Sequence, residues 1–160
     1  AGRGERRWIL ALAGADPCAV DGLFLLHAVC RGGHFDAAEM LLRIAADVDL
    51  ADTDGRLPLH IAAKNLGYDA GRIVKALAAA EADVNARLGV ARKPRPLTLA
   101  AVADAGLACE ALLLSGADME LTDADGFTPL AVAAAAGSDE VLALLLAARA
   151  NVSGCSALNE

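Results

Sequence analysis

The sequence predicts an all-α solenoid of two-helix units, and three observations carry that prediction. A short apolar tetrad recurs four times along the chain. A second motif recurs between the tetrads and keeps their phase. The composition, 56% hydrophobic but only 3% aromatic over 160 residues, favours many small Ala and Leu contacts between closely packed helices. A sandwich or barrel would want more Val, Ile, Tyr and Phe.

The tetrads are Phe24-Leu25-Leu26-His27, Leu57-Pro58-Leu59-His60, Arg95-Pro96-Leu97-Thr98 and Thr128-Pro129-Leu130-Ala131. Their third residues follow one another at intervals of 33, 38 and 33 positions. The second motif reads Gly14-Ala15-Asp16, Ala45-Ala46-Asp47, Glu81-Ala82-Asp83, Gly116-Ala117-Asp118 and Arg149-Ala150-Asn151. Two independent motifs in one phase mark a structural repeat.

Each period reads as two short helices. The first begins at the tetrad, where a proline at the first helical position wastes no hydrogen bond and Thr128 suits an N-cap. A glycine turn follows, at Gly32-Gly33 and at Ala136-Gly137. The second helix carries apolar residues at helical spacing, as in Ala38, Leu41 and Leu42 or Val141, Leu142, Leu145 and Leu146. Gly116 stands where a left-handed helix terminus favours glycine. A polar stretch then ends in the turn signal Asp54-Gly55 or Asp125-Gly126.

This arrangement resembles the ankyrin repeat, a turn plus two helices in about 33 residues. The resemblance covers residues 5–153 and is fullest over Asp123 to Val152. It implies a single ankyrin-repeat domain over 1–160, an all-α ankyrin-repeat solenoid with hairpin-like fingers. A partial N-terminal repeat lies at 5–18, and full repeats at 19–51, 52–86, 87–122 and 123–153. Residues 154–160 start or cap a further one. There are departures. Phe24-Leu25 replaces the family's Thr-Pro in the first repeat, and Thr98 and Ala131 replace its His in the third and fourth. About three extra residues fall around Leu66 to Gly71, between the helices of the second repeat. The Arg87–Arg95 finger is expected to be longer or irregular.

Function follows from the same resemblance. Stacked units bury a continuous core and leave an extended face, and ankyrin proteins mostly bind partner proteins on the concave side formed by fingers and first helices. By position, Asp21, Leu23, Arg31, Thr53, Asp54, Arg56, Lys64, Asn65, Arg87, Arg92, Lys93, Arg95, Val102, Ala124, Asp125, Phe127 and Ala135 are expected there. Seven of the chain's fourteen basic residues are in that set. The partner-binding residues are therefore read as Arg31, Arg56, Lys64, Arg87, Arg92, Lys93 and Arg95, with Phe127 as an apolar anchor. A basic strip on a protein of net charge −7 attracts an acidic or carboxylate-bearing segment of a partner protein.

Other classes find little support. A pI near 4.9 opposes binding to nucleic acid. No apolar run reaches the ~20 residues of a membrane span. Cys18, Cys30, Cys109 and Cys155 form no CxxC pair or metal-ligand spacing, so neither a metal nor a cofactor is expected. No nucleophile set or phosphate loop appears, so the chain reads as a non-enzyme. His27 and His60 are expected to bond neighbouring loops, as in the family. Free cysteines and the lack of a secretory signal place the chain inside the cell, in cytoplasm or nucleus. The alternative is a regulatory ankyrin region of a larger enzyme or channel, docking an internal domain.

Overall fold

The computed structural model describes residues 25–43, 46–88 and 94–148. Eight helices occupy them, with no strand among the described residues. They come in pairs: α1 (Leu25–Gly32) with α2 (Phe35–Arg43), α3 (Pro58–Ala62) with α4 (Ala70–Ala79), α5 (Pro96–Ala103) with α6 (Gly106–Leu114), and α7 (Pro129–Ala136) with α8 (Asp139–Ala147). The partial repeats expected at 5–18 and 154–160 lie outside the described residues.

Local chemistry sets the helix ends. Pro58, Pro96 and Pro129 each open a first helix, where the missing N–H would have had no intrahelical partner. Thr128 adds a side-chain cap, its Oγ1 accepting the Ala131 N–H at 3.3 Å. Gly33, Gly116 and Gly137 turn the chain at φ of 72°, 86° and 71°, a region where a Cβ is penalised. Glu81 and Asp104 adopt the same region, at 69° and 52°, without being glycine. Two fingers share one device: Asp52 Oδ1 accepts the N–H groups of Asp54 and Arg56, and Asp123 Oδ1 accepts those of Asp125 and Phe127. In each, the backbone N–H of the aspartate closes the turn onto the carbonyl four residues on.

The helices form two rows. First helices stack in the order α1, α3, α5, α7, and second helices in the order α2, α4, α6, α8, each also packing on its own pair-mate. The core runs unbroken between the rows. All four tetrad leucines are buried in it, and so are Leu41, Leu77, Leu112 and Leu145 from the second helices. Each such side chain is worth roughly 1.5–3 kcal/mol against exposure. Ala62, Ala63, Ala100, Ala101 and Ala133 are fully buried; their small size lets neighbouring helices approach closely. Helix α5 is apolar nearly all round, because α3, α6, α7 and α8 all pack on it.

Polar side chains reinforce the junctions. Asn65 donates to the carbonyls of Cys30 (2.9 Å) and Arg31 (3.2 Å), closing the open end of α1. Ser138 Oγ does the same for α5, donating to Ala101 O at 2.6 Å. Asp104 Oδ1 accepts the Val141 N–H in the first turn of α8 at 3.1 Å, and Asn85 Oδ1 accepts the Asp118 N–H at 2.9 Å. Each carries a lone backbone group of one repeat on a side chain from its neighbour.

Two stability predictions follow from the backbone. A Cβ on Gly71 would stand 2.7 Å from the Leu107 carbonyl oxygen, so Gly71→Ala must push α4 from α6. It is expected to destabilise by about 1–3 kcal/mol in urea unfolding, despite alanine's better helix propensity. Glu81→Gly removes a side chain from a left-handed position and should stabilise by about 1 kcal/mol, read from the same unfolding curves.

Candidate functional site

The first helices and fingers present two adjoining hollows. One, of about 390 Å³, lies between Arg31, Arg56, Lys64 and Asn65, with Ile61, Leu88 and Leu99 among its lining residues. The other, of about 480 Å³, is bordered by Val102, Asp123, Asp125, Phe127 and Val132. Leu99 lines both, so the two hollows meet at the third repeat.

The cations differ in how free they are. Arg31, Lys64 and Arg87 are exposed. Arg56 is half-buried and already paired: its Nε meets Asp52 Oδ2 at 2.9 Å, and its Nη2 is bonded to Asp54. Burial pulls the Asp52 carboxyl upward, but the Arg56 backbone and side-chain hydrogen bonds override it and hold the group below its ordinary value. Arg95 is half-buried too, and its Nη1 donates to the Asn85 carbonyl at the base of the third finger. It braces that finger. Arg92 and Lys93 lie outside the described residues, as do Asp21 and Leu23. The expected strip therefore has Arg31, Arg56 and Lys64 gathered around one hollow and Arg87 beside it in sequence to Leu88.

Phe127 is half-buried, and the two charged residues lining its hollow are Asp123 and Asp125. It thus faces an apolar hollow with an acidic rim, next to the hollow that the cations line. Asn65, expected as an exposed contact, spends its side chain on Cys30, Arg31 and Gly67. Sequence reasoning missed Ile61, Leu88 and Leu99. The clue available for Leu88 was the uncharged run Leu88-Gly89-Val90-Ala91 between Arg87 and Arg92. The third finger closes by Leu88 N–H to Pro94 O, two residues longer than its counterparts, in line with the expected extra length.

The tetrad histidines link successive repeats. His27 Nε2 lies 2.9 Å from Arg56 O. His60 Nδ1 accepts the Leu57 N–H at 3.3 Å, which puts the proton on Nε2, 3.1 Å from Ala86 O. Both rings are buried, and burial is the main cause that lowers both pKa values below the ordinary histidine range. Thr98 fills the equivalent place in the third repeat, where its Oγ1 is buried without a hydrogen-bond partner.

Little here resembles reaction chemistry. Burial pushes the Cys30 thiol, and with help from Glu140 and Glu110 the Cys109 thiol, up to about 12, so neither is a thiolate at neutral pH. Among the described residues no group of three or more His, Cys, Asp or Glu could hold a metal ion. Among the same residues, no helix is long and apolar enough to cross a membrane.

A family model described as ankyrin repeats (3 copies) matches residues 6–87 and 97–160. The chain belongs to the ankyrin-repeat family. Neurogenic locus notch homolog protein 1 of Xenopus tropicalis is 35% identical over 127 residues, which are 79% of this chain and 5% of that protein. The chain thus spans about one twentieth of that relative. Ankyrin repeats are in general protein-interaction modules, and the stacked helix pairs and fingers described above are the ankyrin architecture.

The histidines give a pH prediction. Folding favours the neutral rings, so the unfolded chain binds more protons once the pH falls below its histidine pKa of about 6.5. Their contribution is complete above that pH and is lost as pH falls through the depressed native values. Thermal melts from pH 7.5 to 5 should show Tm dropping, and His27→Gln/His60→Gln should start lower but lose less over that interval. Asp52 acts in a separate window: its contribution is complete above its unfolded value and is lost as the pH falls through the lowered native one.

Proposed function

We propose that the two adjoining hollows on the first-helix face hold an extended segment of a partner protein, with a carboxylate at the Arg31–Lys64 end and an apolar side chain against Val102 and Phe127. The observation that carries this reading is the hollow between Arg31, Arg56 and Lys64, where the exposed Arg31 and Lys64 flank the apolar residues Ile61, Leu88 and Leu99. A carboxylate there gains Coulomb attraction at the rim while its neighbours bury apolar surface. Arg87 adds positive potential, and Arg92 and Lys93 belong to the same finger in sequence. Asp123 and Asp125 at the far hollow oppose a second carboxylate there, which gives the segment a direction. The work of the module in this reading is that of a scaffold or adaptor inside the cell.

A second reading has the same face docking a domain of its own longer chain. It is favoured by the notch homologue, in which the matched stretch occupies 5% of the protein. In that case a longer natural chain would outcompete any added peptide.

The test uses a fluorescein-labelled peptide of alternating Glu and Leu and its Lys-for-Glu counterpart, measured by anisotropy at low salt. The acidic peptide should bind and the basic one should not. Arg31→Glu/Lys64→Glu alters exposed side chains and should preserve Tm while weakening the acidic peptide about tenfold or more, on the order of 1.4 kcal/mol. Equal affinity of the variant and the parent for the acidic peptide would overturn the basic-strip reading.

A further inference from the structure

A different edge of the molecule carries apolar residues that no core requires. Leu66 and Tyr68, in the extra residues between α3 and α4, are 69% and 86% exposed, and Leu107 at the start of α6 is 44% exposed. Single exposed apolar residues need no explanation, but Leu66 and Leu107 line one hollow, and Tyr68 is two residues from Leu66 in the same loop. Leu66 and Leu107 line it together with Asp104 and Glu140, so three consecutive repeats contribute. Its volume of about 260 Å³ is below the roughly 300–1,000 Å³ of small-molecule pockets. It is the size for one inserted side chain.

The loop that displays Leu66 and Tyr68 is fixed. Asn65 Oδ1 accepts the Gly67 N–H at 2.7 Å, and the Ala70 N–H closes on Gly67 O at 3.0 Å. Asp69 is paired with Arg72 at 2.7 Å, and the Arg72 guanidinium lies 3.8 Å over the Phe35 ring. The apolar side chains therefore sit on a braced platform, and binding to it costs little ordering entropy.

Charge decides the occupant. Both charged residues lining the hollow are carboxylates, and no cation lines it. Glu140 is exposed on the first turn of α8, its carboxylate close over Gly106. Asp104 has one oxygen on the Val141 N–H. The nearby cation Arg72 is already engaged by Asp69 and Phe35.

We infer that this edge is a second docking surface, and that it takes a partner segment pairing one aliphatic side chain, seated between Leu66 and Leu107, with a lysine or arginine held by Glu140. The preference is opposite in sign to that of the first-helix face, so the two surfaces select different segments.

The test is an amide-resonance titration of the full chain with the peptide acetyl-Trp-Leu-Lys-Leu-Lys-amide and its Glu-for-Lys counterpart. The basic peptide should shift the resonances of residues 66–68 and 107. Leu66→Ser/Tyr68→Ser should weaken it about fivefold or more and Glu140→Gln about threefold, each without change in Tm. Arg31→Glu/Lys64→Glu should leave this binding intact or strengthen it, which separates it from the first-helix face. The inference is overturned if the basic peptide shifts only the first-helix face or nothing, if the acidic peptide binds the edge equally, or if residues 1–24 or 149–160 of the free chain already give cross-peaks to Leu66 and Tyr68.

Discussion

No unit of this chain can bury its own apolar face, and everything else in the molecule depends on that constraint. A pair such as α5 and α6 has almost no polar side, so it is covered only when α3 and α4 lie on one flank and α7 and α8 on the other. The near absence of aromatic residues then makes sense. A core one side chain thick, repeated along an axis, is filled by leucines at fixed phase and by alanines where backbones come close. Gly71 shows the limit of that closeness, since even a methyl group has no room against Leu107. The thermodynamic unit is the junction between repeats more than the repeat itself.

The same geometry determines where polar groups are spent. Every junction leaves helix termini and finger carbonyls in need of partners, and the neighbouring repeat supplies them: His27 and His60 to fingers, Asn65 and Ser138 to the ends of first helices, Asp104 to the start of a second helix. These side chains look chemical in isolation. In place they are ties, and their burial keeps the imidazoles neutral and the thiols protonated. What is left unspent is therefore informative. Arg31, Lys64 and Arg87 on one face, and Leu66, Tyr68 and Glu140 on another edge, are outside the work of holding the stack together.

The repeat phase, the helix pairing and most helix ends could be read in the sequence, because burial periodicity and caps are local signals that recur. Leu26, Leu59, Leu97 and Leu130 are buried as their common register demands. The site was less legible, because the availability of a charge depends on what the folded chain brings beside it. Arg56 looked like a free cation until the turn closed Asp52 and Asp54 onto it, although the run Asp52-Thr53-Asp54-Gly55-Arg56 already held that possibility. Arg95 precedes a helix-opening proline, and its distance from Asn85 along the chain hid a contact made by the third finger. Phe127 was placed by position alone, and only folding reveals Asp123 and Asp125 as its charged neighbours.

One replacement in the tetrads has a mechanical result. The second and third fingers are latched by imidazoles from the repeat before them, whereas Thr98 makes no such bond to the fourth, which is tied by Asn85 to Asp118 and by its own Asp123 and Thr128. The ties across the face therefore change in kind along it, from buried imidazoles at the cationic end to a carboxamide at the aromatic end.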